Sequence, residues 1–191
     1  GLNEGCSIHL EGESQAFLHT LSWNPYEQWP RGVRRYEVQR RYGRDSTFAQ
    51  LDLLRPEQRT YKDNRWDYDW GRYEYRIRAE ERPNDFYRAT SISNEITLNQ
   101  PPRVRIPNAF SPNGDGLNET FKLRTLFVRS FHLRIYNRWG ELVYETRDKD
   151  QSWDGAVDDL TTMDNVFIYQ LNYVGWDRLL RSPSGNVKVT R

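Results

Sequence analysis

The sequence predicts an all-β protein made of two tandem β-sandwiches, and three observations carry that reading. Aromatic residues make up 14% of the chain, with 12 Tyr and 7 Trp, and long aliphatic runs are missing, which is the profile of many short, half-buried strands. From Tyr73 to Glu80 apolar and charged residues alternate without a break, as in a strand with one buried and one wet face. No segment sustains a helical period, and Asn99-Gln-Pro-Pro102 removes backbone donors and stiffens the chain near its middle. The 191 residues therefore divide into 1–102 and 103–191, each close to the common domain size of about 100 residues.

The first half opens with a strand over Ala16–Trp23 that places Leu18 and Leu21 near one core, with Trp23 at its exit before Asn24-Pro25-Tyr26 turns the chain. Val33–Tyr42 follows as a second strand, Tyr36 and Val38 on one face and Arg35, Glu37 and Gln39 on the other, and Gly43-Arg-Asp-Ser46 closes a hairpin onto Phe48–Leu54. Tyr73–Glu80 comes next, and Ser91–Leu98 is the last strand before the prolines. In order, Ser22-Trp23-Asn-Pro25, Tyr36-Glu-Val38, Tyr73-x-Tyr-x-Ile-x-Ala79 and Ser93-Asn-Glu95 resemble a fibronectin type III module over roughly residues 5 to 100. The resemblance implies a seven-stranded sandwich with Tyr73 at the family's tyrosine corner and a spacer or adhesive role, and it brings no catalytic residues.

The second half is organised around Ile106-Pro-Asn-Ala-Phe110-Ser-Pro-Asn-Gly-Asp115-Gly-Leu-Asn-Glu-Thr-Phe121, in which two apolar ends flank ten residues made almost wholly of turn formers. Pro112 fixes its own φ, Gly114 and Gly116 allow positive φ, and Asn113, Asp115 and Asn118 can bond nearby amides, so the loop has the chemistry to hold one shape. Phe131, Leu133 and Ile135 then alternate on one face. Arg138-Trp-Gly140-Glu141 turns that strand onto Leu142-Val-Tyr144, with Gly140 supplying the positive-φ position. Trp153-Asp-Gly155 marks another turn, its indole covering a sheet edge or a sandwich end. Val166–Tyr173 is a strand, and Gly185–Arg191 a terminal one carrying Val187 and Val189. Six or seven short strands suggest a second, immunoglobulin-like sandwich.

The loop, Tyr136-Asn-Arg-Trp-Gly140-Glu-Leu-Val-Tyr144, Trp153-Asp-Gly155 and Gly185-Asn-Val-Lys-Val-Thr-Arg191 together resemble the gliding-motility-associated C-terminal domain, the type B sorting tail of the type IX secretion system of Bacteroidetes, across roughly residues 103 to 191. That resemblance implies a folded export address, recognised in the periplasm by the translocon and its outer-membrane shuttle proteins, which leaves its protein on the cell surface or released. The docking surface it suggests comprises Pro107, Asn108, Phe110, Pro112, Asn113, Gly114, Asp115, Gly116 and Asn118 of the loop, Asn137, Arg138, Trp139 and Gly140 of the turn, and Val187, Val189 and Arg191 of the last strand.

Composition narrows the alternatives. Arg and Lys total 28 against 27 acidic residues, 15 and 16 in residues 1–102 and 13 and 11 in the rest, so neither half is a polybasic module for nucleic acid or an anionic membrane. Nothing approaches the ~20 apolar residues of a membrane-crossing helix. A start at Gly1 without Met and without a charged, then apolar, leader reads as a piece whose signal peptide, if any, lies upstream. Cys6 is either a small buried hydrophobe or the partner of a cysteine outside the sequence.

Asn113, Asp115 and Glu119 place oxygens as part of a calcium loop would, with Leu117 offering a carbonyl. Counted from Ser111, however, the twelfth position is Lys122, where an EF-hand has a bidentate acid, so the alternatives are a calcium site and a turn held by local hydrogen bonds. Trp66, Tyr68 and Trp70 at spacing two could stack on sugar rings, and a surface glycan-binding or adhesive module is the second functional reading; their other role is to cap the sandwich end. His9, His19 and His132 are scattered, no nucleophile sits in a recognisable turn near them, and Asp158-Asp159 reads as solvated loop charge, so no enzyme is expected.

Overall fold

A computed structural model describes residues 7–43, 46–83, 89–157 and 166–190 of the chain. Cys6, Asp158, Asp159 and Arg191 lie outside the described residues. The chain divides into two compact units, Gly1–Gln100 and Pro101–Arg191. All regular structure among the described residues is β.

The first unit holds β1 (Leu10–Gln15), β2 (Leu18–Trp23), β3 (Val33–Arg41), β4 (Ala49–Leu54), β5 (Thr60–Asp63), β6 (Arg72–Glu81), β7 (Thr90–Ile92) and β8 (Ile96–Asn99). They form a three-stranded sheet in the order β1-β2-β5 and a second in the order β4-β3-β6-β7, with β8 also on β6. The expected last strand is thus one line along β6, interrupted at Ser93, whose hydroxyl accepts from Ile77 N–H at 2.9 Å. Asn94 beside it reaches the other sheet, accepting from Leu10 N–H at 2.7 Å and donating to Leu10 C=O at 3.0 Å.

Tyr73, Tyr75, Ile77 and Ala79 of β6 are buried against Tyr36 and Val38 of β3 and Leu21 and Trp23 of β2. Tyr73 donates to the Asp67 carbonyl at 3.0 Å, the backward hydrogen bond of a tyrosine corner. Two expectations need correcting. The inward set on β2 is His19, Leu21 and Trp23, with Leu18 only half-buried: period two cannot put Leu18 and Leu21 on one face, and His19 is the core residue. The outer face of β6 is also less wet than alternation implies. Opposite Arg35, Glu37, Gln39 and Arg41 stand Glu80, Arg78, Arg76 and Glu74, a ladder of complementary pairs that buries Glu37, Gln39 and Glu74.

The second unit holds β9 (Arg103–Arg105), β10 (Ala109–Phe110), β11 (Arg124–Leu126), β12 (Val128–Tyr136), β13 (Leu142–Thr146), β14 (Val166–Gly175), β15 (Leu180–Arg181) and β16 (Ser184–Val189). Its large sheet runs β10-β16-β14-β12-β13, with β15 also on β14, while β9 and β11 pair separately. The layers of this sandwich are therefore unequal. Phe131, Leu133, Ile135, Phe167, Leu171, Val187 and Val189 supply the inner face of the large sheet, packed in one cluster with Phe110, Phe121, Leu123 and Trp153. Trp153 is buried inside that cluster rather than laid over an edge: its backbone bridges Phe121 and its indole N–H donates to Ala156 C=O at 3.1 Å. Gly155 in the same motif has φ +83°, and a Cβ there would stand 3.1 Å from the Phe110 ring, so both conformation and space require glycine.

Candidate functional site

Sheet register decides where the four motifs of the second unit go. Tyr136, Ile168 and Asn186 share one row of the large sheet, and Val166, Lys188 and Ala109 share the row two positions further on. The turn after Tyr136, the loop after Phe110 and the final residues of β16 consequently leave the sheet at the same end. The turn lies beside β12 and β13, the loop beside β10 at the opposite edge.

The loop is self-bonded. Ser111 N–H donates to Asn118 C=O at 2.7 Å and closes it, and Ser111 Oγ donates to Thr190 C=O at 2.8 Å, tying it to the end of β16. Inside, Glu119 accepts from Gly114 N–H at 3.0 Å and Gly116 N–H at 2.9 Å, one through each oxygen. Asp115 accepts from Leu117 N–H at 2.7 Å and from the Asn113 amide at 3.1 Å, and Asn113 Oδ1 accepts from Asp115 N–H at 3.1 Å. Gly114 and Gly116 have φ +80° and +83° with nothing near a would-be Cβ, so their glycine is a demand of backbone alone; Asn118 takes φ +51°. Asn113, Asp115 and Glu119 are thus brought together as acceptors of N–H groups. Among the described residues no group of three or more His, Cys, Asp or Glu is placed to hold a metal ion.

The Asn137–Glu141 turn is organised by Asn137, which is buried: its Oδ1 accepts from Trp139 N–H at 3.0 Å and Glu141 N–H at 2.9 Å, and its amide donates to the Glu141 carboxylate at 2.7 Å. Gly140 sits at φ +84°. This scaffold holds Trp139 out into solvent, 74% exposed, and Leu117 on the other loop is 68% exposed. Pro107 and Pro112 are half-buried at the two ends of the loop's entry, Phe110 is in the core, and Val187 and Val189 are core residues of β16, so the expected docking set mixes surface with interior.

Beside the loop opens a cleft of about 570 Å³ whose lining includes Pro107, Asn108, Ala109 and Glu119 together with three cations, Arg105, Lys122 and Arg124. Sequence reading missed these cations. Their alternation with Val104, Ile106, Leu123 and Thr125 is visible in the chain, but only the β9–β11 register shows that Arg105 and Arg124 face each other.

The remaining candidates separate. His9 is exposed beside Glu11, His132 bonds Glu145 on the sheet surface, and His19 is buried in the first unit, so the histidines form no common site. Trp66 packs inward on the core, edge-on to His19 at 4.8 Å, whereas Tyr68 is 53% exposed. The three rings therefore do not present one platform.

The second unit is, by its strands and core, an all-β sandwich domain with a self-bonded loop at one end of its large sheet. Residues 104–182 match the family described as the CHU_C type IX secretion signal domain, which marks this unit as a C-terminal sorting signal; the match stops before β16. Such a signal addresses its protein across the outer membrane to the cell surface or beyond, through the secretion machinery. Among solved structures, the pectate lyase PelI of Erwinia chrysanthemi is 22% identical, covering 48% of this chain and 28% of its own, with a TM-score of 0.40. The FN1-FN3 domains of chicken CNTN1 are 9% identical, covering 97% and 66%, with a TM-score of 0.40. A tetra-tandem repeat from the extending region of a large adhesion protein is 11% identical, covering 96% and 49%, with a TM-score of 0.42. The chain thus spans little more than a quarter of the lyase's length. No curated protein matches it.

Proposed function

We propose that residues 101–191 are the folded address of a type IX-secreted surface or gliding-motility protein, that the outer-membrane translocon and its shuttle proteins read it, and that the first unit is a fibronectin type III-like spacer with no reaction of its own. The observation that supports this most is the gathering of the loop and the turn at one end of the large sheet, each fixed by its own side-chain acceptors. A prefolded surface loses little ordering entropy when it docks. The calcium alternative is not needed for the loop's shape, because Asp115 and Glu119 already hold it through backbone N–H groups.

A reporter joined to residues 101–191 should leave a bacterium that has the type IX machinery, and one retained in the periplasm overturns the proposal. Millimolar calcium should leave the melting temperature unmoved; a calcium-dependent rise that Asp115→Ala removes would restore the metal reading.

A further inference from the structure

The cleft beside the loop gathers three cations, Arg105, Lys122 and Arg124. Arg105 and Arg124 are direct cross-strand partners on the β9–β11 pair, a like-charge juxtaposition that costs stability. Lys122 lines the same cleft, and among the described residues none of the three makes an ion pair. Glu119 is the acid of the cleft, but both its oxygens are taken by the Gly114 and Gly116 N–H groups.

A strand edge lies alongside. Among the described residues β10 ends its sheet, and Asn108 and Phe110 turn their carbonyls to β16, accepting from Lys188 N–H and Thr190 N–H at 2.9 Å each. By strand alternation the Ala109 N–H and C=O face the other way, and Ala109 lines the cleft.

We propose that this cleft binds an extended, acidic peptide segment of the secretion machinery, which adds to the β10 edge through Ala109 and sets carboxylates at alternate positions against Arg105, Lys122 and Arg124. The volume is in the range of ligand-sized sites, and strand addition with side-chain pockets on one face is an established way of reading an extended peptide. A free phosphate or sulfate group fits less well, since the loop N–H groups that could cradle one already serve Glu119.

The identity of the partner rests on the export reading, but the binding test does not. The full 191-residue chain is titrated with a fluorescent, end-blocked hexapeptide of alternating glutamate and valine, with its glutamine counterpart, and with inorganic phosphate and dextran sulfate as competitors. The glutamate peptide should bind, its glutamine counterpart about tenfold more weakly, and Arg105→Gln with Arg124→Gln should cost a similar factor. Arg124→Glu should abolish binding while raising the melting temperature, because it turns a like-charge pair into an ion pair. Equal binding of both peptides, binding that survives Arg124→Glu, or binding of dextran sulfate or phosphate without the peptide would overturn the proposal. An exported reporter with no peptide binding tells against this site alone, and peptide binding with a retained reporter tells against the export address alone.

Discussion

The residue with the most unusual environment is His19, a titratable side chain in the core of the first unit. Tyr75 donates its hydroxyl to Asp63 at 2.8 Å, so at 2.8 Å from the same oxygen His19 Nδ1 must carry the proton, leaving Nε2 bare and without a partner among the described residues. Asp63 also accepts from Arg40 at 2.6 Å, and the arginine is held further by Arg65 C=O and the Tyr42 hydroxyl. Burial first, and the Arg40 charge after it, bring His19 from 6.5 down to about 4 against the opposing pull of Asp63. The unfolded chain thus takes up a proton below about pH 6.5 that the folded chain refuses until about pH 4. Stability from this group is complete above the unfolded value and is lost as pH falls toward the folded one, by about 3 kcal/mol at ~1.4 kcal/mol per unit. Urea melts at pH 7 and pH 4.5 should show that slope, and His19→Gln should flatten it. Asp63→Ala, which strands the Arg40 charge in the interior, should cost about 3–5 kcal/mol at neutral pH in the same melts.

At the scale of elements, the loop and the turn should respond differently to loss of their organising side chains. Glu119 holds two amides on an exposed loop, so Glu119→Ala hands them to water: about 1 kcal/mol at most, seen as faster hydrogen exchange at Gly114 and Gly116 with little change in melting. Asn137 is buried, and Asn137→Ala leaves the Trp139 and Glu141 amides without their acceptor, about 2 kcal/mol and a drop of about 10 °C for a domain of this size.

What the sequence disclosed follows the same division. β3, β6, β12 and β14 are 9 or 10 residues long, β6 alternating most clearly, and the positive φ at Gly114, Gly116 and Gly140 could be read from residue type. β1 and β5 were not legible, because β1 is Leu10 followed by polar residues and β5 is four residues long, and both are defined by pairing with β2. The two- and three-residue strands β9, β10, β11 and β15 have no period to detect. For that reason the cleft, which depends on where β9, β10 and β11 land, was invisible although every residue lining it was in view.

For the whole molecule, the decisive element is β16, which lies between β10 and β14 and places Val187 and Val189 in the core of the second unit. Removing the last strand would separate β10 from the sheet and open the Phe110–Trp153–Phe167 cluster, so lost export in such a truncation would report unfolding and not a lost address. Fold and recognition can be separated by pairing an interior with a surface change. Val187→Asp puts an unpaired charge in the core and should cost several kcal/mol, stripping hydrogen-exchange protection from Phe131–Ile135 and Phe167–Leu171 and abolishing export of the reporter. Trp139→Ala touches a side chain already in solvent and should leave that protection and the melting temperature within the ±0.5 kcal/mol usual for surface changes. If the turn is part of the docking surface, the folded Trp139→Ala tail should still be exported less efficiently than its parent. If a folded tail with Trp139, Leu117 and the cleft cations all replaced is exported as well as the parent, the recognised surface lies elsewhere on the second unit, and the edge of β13, which among the described residues pairs with β12 alone, is the next to test.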